Sequence, residues 1–242
     1  MERGNNMNTE FSAALIKKKK AGLIPVIPDI KLRSPKEGEL LRGRDPFEAA
    51  ALLAALGAPA LSVVTEAENF GGSLSLLQGV VQSSGLPVLR KDFIRSVEDL
   101  RKSKEYGARA VLLICAMLPR PLLSRLYEES IKLGMEPLVE AHNEEELLLA
   151  GELKAGLVGI NNRDILQLEK DGGGVSLTAK LAAYRPQGAL LVSESAIGSP
   201  EEAALAVRAG ANAVLVGTAI WHAPDLPAFY AALCRGGARS YV

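Results

Sequence analysis

The sequence is poor in the residues that build disulfide frameworks and metal sites. Its 242 residues include two cysteines and two histidines. Cys115 lies in an apolar run typical of a buried strand and Cys234 in a C-terminal helical stretch, so both are expected to be small buried side chains. His142 and His222 have no second ligand at metal-binding spacing, so neither a metal site nor a metal-dependent reaction is expected.

The chain also lacks an excess of either charge. Lys and Arg together number 28, and Asp and Glu together number 28. No overall field therefore attracts nucleic acid or an anionic membrane surface, and neither is an expected partner. One basic run, Lys17 to Lys20, is expected to be the solvated face of a leader helix.

Long apolar stretches are absent as well. None approaches the roughly 20 residues that a membrane-spanning helix requires. Three polar residues, Glu2, Asn5 and Asn6, occur where a secretory signal would carry its apolar region. These features predict a cytoplasmic protein.

Eight short apolar runs recur along the chain, and each stops at charged or polar residues. Stretches with helical spacing separate them. This alternation predicts an α/β fold, the (β/α)8 TIM barrel, in which eight parallel strands end at one mouth. The predicted strands are residues 24–31, 60–66, 86–92, 110–116, 136–141, 157–161, 189–194 and 213–217. The structural alternative is a flavodoxin-like open sheet, which normally uses fewer strands.

The length fits one barrel domain, since such barrels commonly have about 250 residues. Residues 1–23 are expected to form a short N-terminal leader helix, with Phe11, Leu15 and Ile16 on one apolar stripe. Residues 24–242 are expected to form the barrel, with a flexible loop at residues 171–174. Capping residues predict four helix starts, at Asp45, Ser73, Asn143 and Ser199.

If the repeat is correct, the residues that end the runs share a single pocket. These endings are Asp29-Ile30-Lys31, Thr65-Glu66, Arg90-Lys91-Asp92, Cys115, Glu140, Asn161-Asn162-Arg163, Ser193-Glu194-Ser195 and Gly217-Thr218. Crowded lysines and carboxylates can shift one another's pKa toward neutrality, as acid–base catalysis requires. Asn161 adds a neutral donor and acceptor, and Arg163 a fork suited to a carboxylate. The alternative is that each charge is a surface residue or an ion-pair partner.

The ends of the seventh and eighth strands predict a phosphate site. Residues 193–198 and 216–218 occupy the loops where barrels of this kind often bind phosphate. Small residues there allow backbone N–H groups to approach the oxygens, and a helix N-terminus adds a positive dipole. The alternative is that Gly217 only makes a tight turn between strand and helix.

Six motifs at the strand ends resemble those of the indole-3-glycerol-phosphate synthase family. They are Ile27-Pro28-Asp29-Ile30-Lys31 with Ser34-Pro35, Phe70-Gly71-Gly72-Ser73, residues 87–93 (PVLRKDF), Leu138-Val139-Glu140-Ala141-His142, residues 159–164 (GINNRD) and Leu191-Val192-Ser193-Glu194-Ser195. The resemblance covers about residues 24 to 235, in order. It implies a carboxy-lyase of tryptophan biosynthesis that needs no cofactor. The reaction would convert 1-(2-carboxyphenylamino)-1-deoxyribulose 5-phosphate to indole-3-glycerol phosphate, with loss of carbon dioxide and water.

The resemblance also implies roles for individual residues. Lys91 would be the general acid at the substrate carbonyl, and Glu140 its acid–base partner in the dehydration. Glu194 would organise the lysines, and Asn161 would orient the substrate hydroxyls. The remaining implied contacts are the substrate carboxylate at Lys31, Ser34 and Arg163, the phosphate at Ser195, Ala196, Gly217 and Thr218, and the aromatic ring at Phe70, Phe93 and Leu112. For both phenylalanines, core packing is an equal alternative.

Three positions depart from the family pattern. Asp29 stands where the family has Glu, Ala196 where it usually has Gly, and Leu32 where Arg is common. The leader is also shorter than the family's usual extension, which helps cover the substrate. These changes leave two alternatives open: a related barrel acting on another sugar phosphate, and a non-catalytic barrel. The expected partner is a small phosphorylated molecule, and the expected state a monomer or weak homodimer.

Overall fold

The computed structural model describes residues 10–163 and 174–237 of the chain. Its strands are β1 (Val26–Ile30), β2 (Arg33–Ser34), β3 (Gly38–Glu39), β4 (Leu61–Val64), β5 (Val88–Lys91), β6 (Ala110–Ile114), β7 (Glu136–Ala141), β8 (Leu157–Asn161), β9 (Leu190–Glu194) and β10 (Ala213–Val216). Its α-helices are α1 (Glu10–Lys20), α2 (Pro46–Ala55), α3 (Leu74–Ser84), α4 (Val97–Glu105), α5 (Arg120–Lys132), α6 (Glu144–Glu152), α7 (Ser176–Leu181), α8 (Pro200–Arg208), α9 (Thr218–His222) and α10 (Leu226–Arg235).

Eight of the strands form a closed parallel barrel. Their order is β1, β10, β9, β8, β7, β6, β5 and β4, and β1 pairs with both β10 and β4. The closure follows from register, since Pro28 pairs with Val216 on one side and Ile30 with Val63 on the other. The predicted TIM barrel is confirmed, and the open-sheet alternative is wrong.

Side chains along each strand alternate between the barrel interior and the surrounding helices. Thirteen buried apolar residues form the interior cluster. They are Phe11, Leu15, Ile27, Ala60, Leu89, Ala110, Leu112, Ile114, Leu138, Leu157, Val192, Ala213 and Leu215. Positions two residues further along the same strands point the same way. Asp29, Lys91, Glu140, Glu194 and Gly217 therefore all face the interior at its carboxyl-terminal end.

Four helices begin at the residues that the sequence predicts, where capping side chains satisfy their first N–H groups. The Asp45 carboxylate accepts from Phe47 N at 2.8 Å and Glu48 N at 2.9 Å. The side chains of Ser73, Asn143 and Ser199 likewise accept from the backbone N–H three residues on. The four predicted helix starts are confirmed. Each fixes the direction in which the chain leaves the barrel mouth.

The leader helix α1 closes the opposite end of the barrel from the mouth. Phe11 and Leu15 belong to the interior cluster, and Glu136, the first residue of β7, accepts from Phe11 N at 2.7 Å and Ser12 N at 3.2 Å. Burial raises the pKa of the Glu136 carboxyl, although the Ser12 and Phe11 hydrogen bonds oppose it. Ile16 is 39% exposed, so its predicted place on the apolar stripe is wrong.

The basic run at the end of α1 is the solvated face that the sequence predicts. Lys17, Lys19 and Lys20 are exposed, and Lys18 donates from Nζ to the Gly57 carbonyl at 2.8 Å. Residues 1–9 of the predicted leader and residues 171–173 of the predicted flexible loop lie outside the described residues. Within the described ranges, no helix has the length and apolar composition needed to cross a membrane.

Two parts of the chain differ from the predicted secondary structure. The long loop after the first strand contains the β2–β3 hairpin, in which Arg33 pairs with Glu39. A short helix, α9, intervenes between β10 and the last helix. Both elements border the barrel mouth.

The two cysteines are free and buried, as predicted. Cys115 begins a single 3-10 turn, so β6 ends at Ile114, two residues earlier than expected. Burial, reinforced by the negative charges of Glu146 and Glu140, raises the pKa of the Cys115 thiol to about 12. The thiol is therefore neutral at physiological pH and packs among the helices instead of in the barrel interior.

Candidate active site

A cavity of about 800 Å³ opens at the carboxyl-terminal end of the barrel. It is lined by Asp29 and Lys31 of the first strand and its loop, Lys91 of β5, Arg163 after β8 and Gly217 after β10. These residues are as much as 188 positions apart in sequence, from 29 to 217. The barrel thus brings together the strand-end charges that the sequence pattern placed at one mouth.

One side of the cavity is made of the loops after β9 and β10. Ser195, Ala196, Gly198, Gly217 and Thr218 all line it. Thr218 and Ala219, the first residues of α9, line the cavity, so the N-terminal end of that helix faces it. The four residues predicted to hold a phosphate therefore lie together.

The loop after β9 adopts a left-handed backbone conformation at two successive non-glycine residues. Ser195 has φ 64° and Ala196 has φ 55°. This conformation brings Cβ close to the carbonyl oxygen and costs roughly 1–2 kcal/mol for an ordinary residue. Strain of this kind persists where surrounding structure enforces it, often at a ligand site. Ala196, where the family usually has Gly, therefore has this cost, and Ser195 shares it.

A narrow apolar recess adjoins the cavity on the side of β4, β5 and β6. Phe70, Phe93 and Leu112 line it, and Lys31 and Lys91 border both spaces. Lys31 Nζ lies 5.4 Å from the centroid of the Phe70 ring, within cation–π distance. The recess has room for about one water-sized group, at about 20 Å³, so a planar ring enters only if neighbouring side chains shift.

Three further predicted residues lie below the surface of the cavity. Glu140, Asn161 and Glu194 have no solvent exposure and do not line it. Asn161 pairs with Glu194 across β8 and β9, and Glu140 pairs with Gly159 across β7 and β8. They form the polar floor of the barrel mouth, next to the lining lysines.

Several buried polar atoms in this floor form no hydrogen bond with a described residue. These atoms are Asp29 Oδ1, both carboxylate oxygens of Glu140 and Asn161 Nδ2. A buried polar atom without a partner is costly, so native structures retain few of them outside functional sites. Their concentration at the barrel mouth indicates a site built to receive polar groups of a ligand.

Ser34 and Arg163 are placed differently with respect to the cavity. Arg163 lines it, and its backbone N–H donates to Asn161 Oδ1 at 3.1 Å. Ser34 does not line it; its hydroxyl accepts from Glu37 N at 3.0 Å within the β2–β3 hairpin. The structure therefore brings Arg163 into the site and leaves Ser34 in the loop beside it, where substrate contact stays a prediction.

The expectation that every strand-end residue shares the pocket is wrong for residues on outward-facing positions. Arg90 points toward α4, where it donates to Thr65 Oγ1 at 2.9 Å, Asp92 Oδ2 at 2.8 Å and Ser103 Oγ at 2.9 Å. Thr65 in turn donates to Asp92 at 2.5 Å. Lys91, which lies between Arg90 and Asp92 in the sequence, faces the interior, because side chains alternate along a strand.

A second outward network lies behind β8 and β9. Asn162 Nδ2 donates to Ser193 Oγ at 3.0 Å, and Asn162 Oδ1 accepts from Thr178 N at 3.0 Å. Asn162, Ser193 and Cys115 are therefore structural side chains outside the pocket, contrary to expectation. Asn162 and Ser193 link the ends of β8 and β9, whose last residues, Asn161 and Glu194, face inward.

Two histidines that the sequence pattern did not single out lie at or beside the cavity. His222, in α9, lies 3.2 Å from Glu37 Oε2, and both side chains line the cavity. His142 Nε2 lies 3.5 Å from Glu140 Oε1. The position of His142, two residues after Glu140 on the same face, was a usable signal, whereas the contact of His222 with Glu37 depends on the unpredicted hairpin and α9.

Metal binding finds no obvious place in the described part of the chain. Residues 10–163 and 174–237 contain no cluster of three or more His, Cys, Asp or Glu side chains that could hold a metal ion. The titratable groups at the mouth are lysines, carboxylates and the two histidines.

Comparison with known proteins agrees with the motifs at the strand ends. The family model described as indole-3-glycerol phosphate synthase matches residues 2–233. Proteins named indole-3-glycerol phosphate synthase from Thermococcus kodakarensis and Pyrococcus furiosus are 43% and 44% identical to the chain, each over 86% of the chain and 90% of the relative. One from Parafrankia is 43% identical over 90% of the chain and 80% of the relative. The chain belongs to the indole-3-glycerol phosphate synthase family.

Proposed function

We propose that this protein converts 1-(2-carboxyphenylamino)-1-deoxyribulose 5-phosphate to indole-3-glycerol phosphate, the reaction that its family resemblance implies. The main support for the proposal is that Lys31, Lys91 and a strained loop of small residues line the same cavity. Such a site offers cations, a proton donor and an anion cradle to a single substrate.

The substrate phosphate would lie against Ser195, Ala196, Gly217 and Thr218. The small side chains at these positions leave the backbone N–H groups accessible, and the starts of α8 and α9 add positive dipoles. This end of the cavity contains Glu202 as well, which accepts from Gly198 N at 2.6 Å and so draws that loop toward α8.

The anthranilate end of the substrate would lie on the other side of the mouth. Lys31 would bind its carboxylate together with Arg163, and Ser34 would approach from the hairpin. The aromatic ring would enter the recess of Phe70, Phe93 and Leu112 once those side chains move apart, as the small volume of the recess requires. Lys31 lies over the face of Phe70, so it would lie next to both the carboxylate and the aromatic ring of the substrate.

Ring closure needs a proton donor at the ketone oxygen. The ring carbon that carries the carboxylate attacks the ketone carbon, and Lys91 delivers a proton to the oxygen as negative charge develops there. The bond to the carboxylate carbon then breaks, and its electron pair restores the aromatic ring as carbon dioxide leaves. Lys91 suits this step because it lines the cavity and has only 8% exposure, so little water competes for its proton.

Dehydration needs an acid for the leaving hydroxyl and a base for the departing proton. An ionised Glu140 would accept the departing proton, a lysine ammonium group of the mouth would protonate the leaving hydroxyl so that it departs as water, and Asn161 would orient the hydroxyl groups through its buried amide. Glu194 would hold the lysine ammonium groups in position from beneath. Asp29, at 3% exposure and facing the same interior, would assist in orienting the two lysines.

The working context proposed for the protein follows from this chemistry. Its substrate is a small phosphorylated metabolite, and no step calls for a metal, nucleotide or nucleic acid. The protein would act in the cytoplasm as a monomer or weak homodimer.

The test is the appearance of indole fluorescence after the purified protein is mixed with the carboxyphenylamino-deoxyribulose phosphate. Wild-type protein is expected to turn over, Lys91→Ala to abolish product, and Glu140→Gln to reduce it sharply. Phosphate-dependent binding of the substrate without turnover would favour a related barrel with another sugar-phosphate substrate. No binding of any phosphorylated ligand would favour a non-catalytic barrel.

A further inference from the structure

Glu140 has an unusual environment for a group that must exchange protons. Its carboxylate has no solvent exposure, and neither oxygen forms a hydrogen bond with a described residue. His142 Nε2, just after the end of β7, lies 3.5 Å from Glu140 Oε1. Residues 140 and 142 lie on the same side of the chain as it leaves β7, so the imidazole extends over the carboxylate.

The other nitrogen of His142 faces a second carboxylate. Nδ1 lies 3.3 Å from Glu146 Oε2, and the same oxygen accepts from His142 N at 2.7 Å. Glu146 Oε1 accepts from Asn143 Nδ2 at 2.9 Å. Burial acts to raise the pKa of Glu146, but the hydrogen bonds from His142 and Asn143 outweigh it, so the pKa is lowered. Glu146 is thus a fixed anion on the far side of the ring.

This arrangement selects a tautomer. An ionised Glu146 can only accept hydrogen bonds, so the neutral ring keeps its proton on Nδ1. Nε2 then presents a lone pair to Glu140 in the neutral ring and an N–H group in the protonated ring. The Nε2 lone pair can accept a hydrogen bond from a protonated Glu140, and the Nε2–H group can donate one to an ionised Glu140. The imidazole therefore complements both protonation states of the carboxyl group.

Two carboxylates approach the His142 ring from different elements of the barrel. Glu140 approaches from β7 and Glu146 from α6. The third titratable neighbour is Cys115, whose Sγ lies 4.0 Å from the Glu146 carbonyl oxygen and whose thiol is neutral. His142 and Glu146 have 15% and 16% exposed side chains, so water screens the contact only partly.

We propose that His142 is a positioning residue for Glu140, and that Glu146 orients His142 for this purpose. The proposal rests on the proposed function, because Glu140 is taken as the group that exchanges a proton with the substrate. His142 would hold Glu140 in one orientation and stabilise its carboxylate form by donating from Nε2. The 3.5 Å distance is expected to shorten when substrate closes the site, as catalytic hydrogen bonds commonly do.

Capping of helix α6 does not by itself require a histidine at position 142. At the start of α4, Asp99 occupies the same third position as Glu146 does in α6, and its Oδ2 accepts from Ser96 N at 2.9 Å. Its pKa is lowered too, with burial again opposed by hydrogen bonds from Ser96 and Arg95. That cap functions without a histidine, so Asp99→Asn is a matched control for Glu146→Gln.

The test measures kcat and KM across the neutral pH range for the full-length wild type, His142→Gln, Glu146→Gln and Asp99→Asn. His142→Gln is expected to lower kcat by about tenfold to 100-fold, since it removes part of an acid–base contribution. Its KM should stay within about twofold of wild type, and the acidic limb of its kcat profile should move to higher pH. Glu146→Gln should show the same changes more weakly, whereas Asp99→Asn should lose a similar amount of thermal stability and keep the wild-type kcat profile.

Nitrogen-15 NMR of the imidazoles gives a readout that does not require turnover. The chain has two histidines, so His142→Gln assigns the signals. The neutral His142 ring is expected to carry its proton on Nδ1, and Glu146→Gln is expected to weaken that preference.

Three results would overturn the inference. They are a wild-type kcat profile in His142→Gln, an Nε2–H tautomer in the wild type, or equal kcat profiles in Glu146→Gln and Asp99→Asn. Should His142→Gln fail to fold, the comparison of the Glu146 and Asp99 variants still decides it. Wild-type protein that forms no indole product would instead overturn the proposed function, and this inference with it.

Discussion

The Glu194 carboxylate occupies the space that a side chain at Gly159 would fill. A Cβ built on Gly159 would overlap Glu194 Oε1, although the two residues lie on adjacent strands. Gly159 also pairs with Glu140 on its other side. The missing side chain therefore lets two acidic groups reach the same level of the barrel interior, beneath the lysines that line the mouth.

Gly159→Ala is expected to displace Glu194 and to disable the site. The added methyl group cannot be accommodated without moving a buried carboxylate, which should cost on the order of 1–3 kcal/mol of stability. Turnover should fall on the order of 100-fold, because a shift of about 1 Å in a catalytic group has that effect. Urea unfolding and indole fluorescence measure the two changes.

The matched control for this variant is Gly156→Ala, since a Cβ at position 156 meets nothing within 4 Å. It should leave both stability and turnover near wild type. Equal rates in Gly159→Ala and wild type would show that Glu194 has no part in catalysis.

Ala196→Gly is expected to stabilise the protein. Ala196 has φ 55°, a conformation that glycine adopts without a Cβ clash, so the change should raise the free energy of unfolding by about 1 kcal/mol. Ala51→Gly, at an exposed position within α2, should have the opposite sign and lose about 0.5–1 kcal/mol. Thermal or urea unfolding measures the stability of both variants. A loss of stability in Ala196→Gly would contradict the strained conformation of Ala196.

Arg90 and Lys91 are adjacent in sequence, but replacing Arg90 is expected to reduce stability and replacing Lys91 to reduce turnover. Arg90→Met leaves Asp92 without the guanidinium that holds it at 2.8 Å in a mostly buried network, which should cost about 2–4 kcal/mol of stability. Lys91→Met should lose turnover with a smaller change in stability, because its side chain faces the cavity. Unfolding and turnover measurements on both variants check this prediction. A large loss of stability in Lys91→Met, with loss of turnover alone in Arg90→Met, would show that the inward and outward faces are wrongly assigned.

Asp29→Glu is expected to preserve or raise the rate. Asp29 Oδ1 is buried without a hydrogen bond to a described residue, and the side chain lines the cavity, into which an additional methylene can extend. Asp29→Asn is the control, since it keeps the length and removes the charge, and it should be slower than wild type in steady-state kinetics. A large loss in Asp29→Glu would show that the pocket has adapted to the shorter acid.

Much of the site followed from alternation along the strands. Once Lys91 is assigned to the interior, Arg90 and Asp92 must face outward, and the same rule separates Asn161 from Asn162. The sequence contained this information, and the expectation that all strand-end residues share a pocket neglected it. The position of His142, two residues beyond Glu140, follows from the same rule.

Other features of the site depend on residues that the chain brings together from far apart. The overlap between Gly159 and Glu194 requires the register of β8 against β9, and the contact of His222 with Glu37 requires both the hairpin and α9. Positive φ at Ser195 is not apparent from its residue type, because non-glycine residues rarely adopt it.

The sequence by itself determined the barrel, the order of its strands and four of its helix starts, because apolar runs and capping side chains act over a few residues. Tertiary structure alone decided that α1 closes the far end of the barrel through Phe11 and Glu136, and that Glu194 lies over Gly159. Those contacts depend on strand register and barrel closure, which arise only when the whole chain buries its interior.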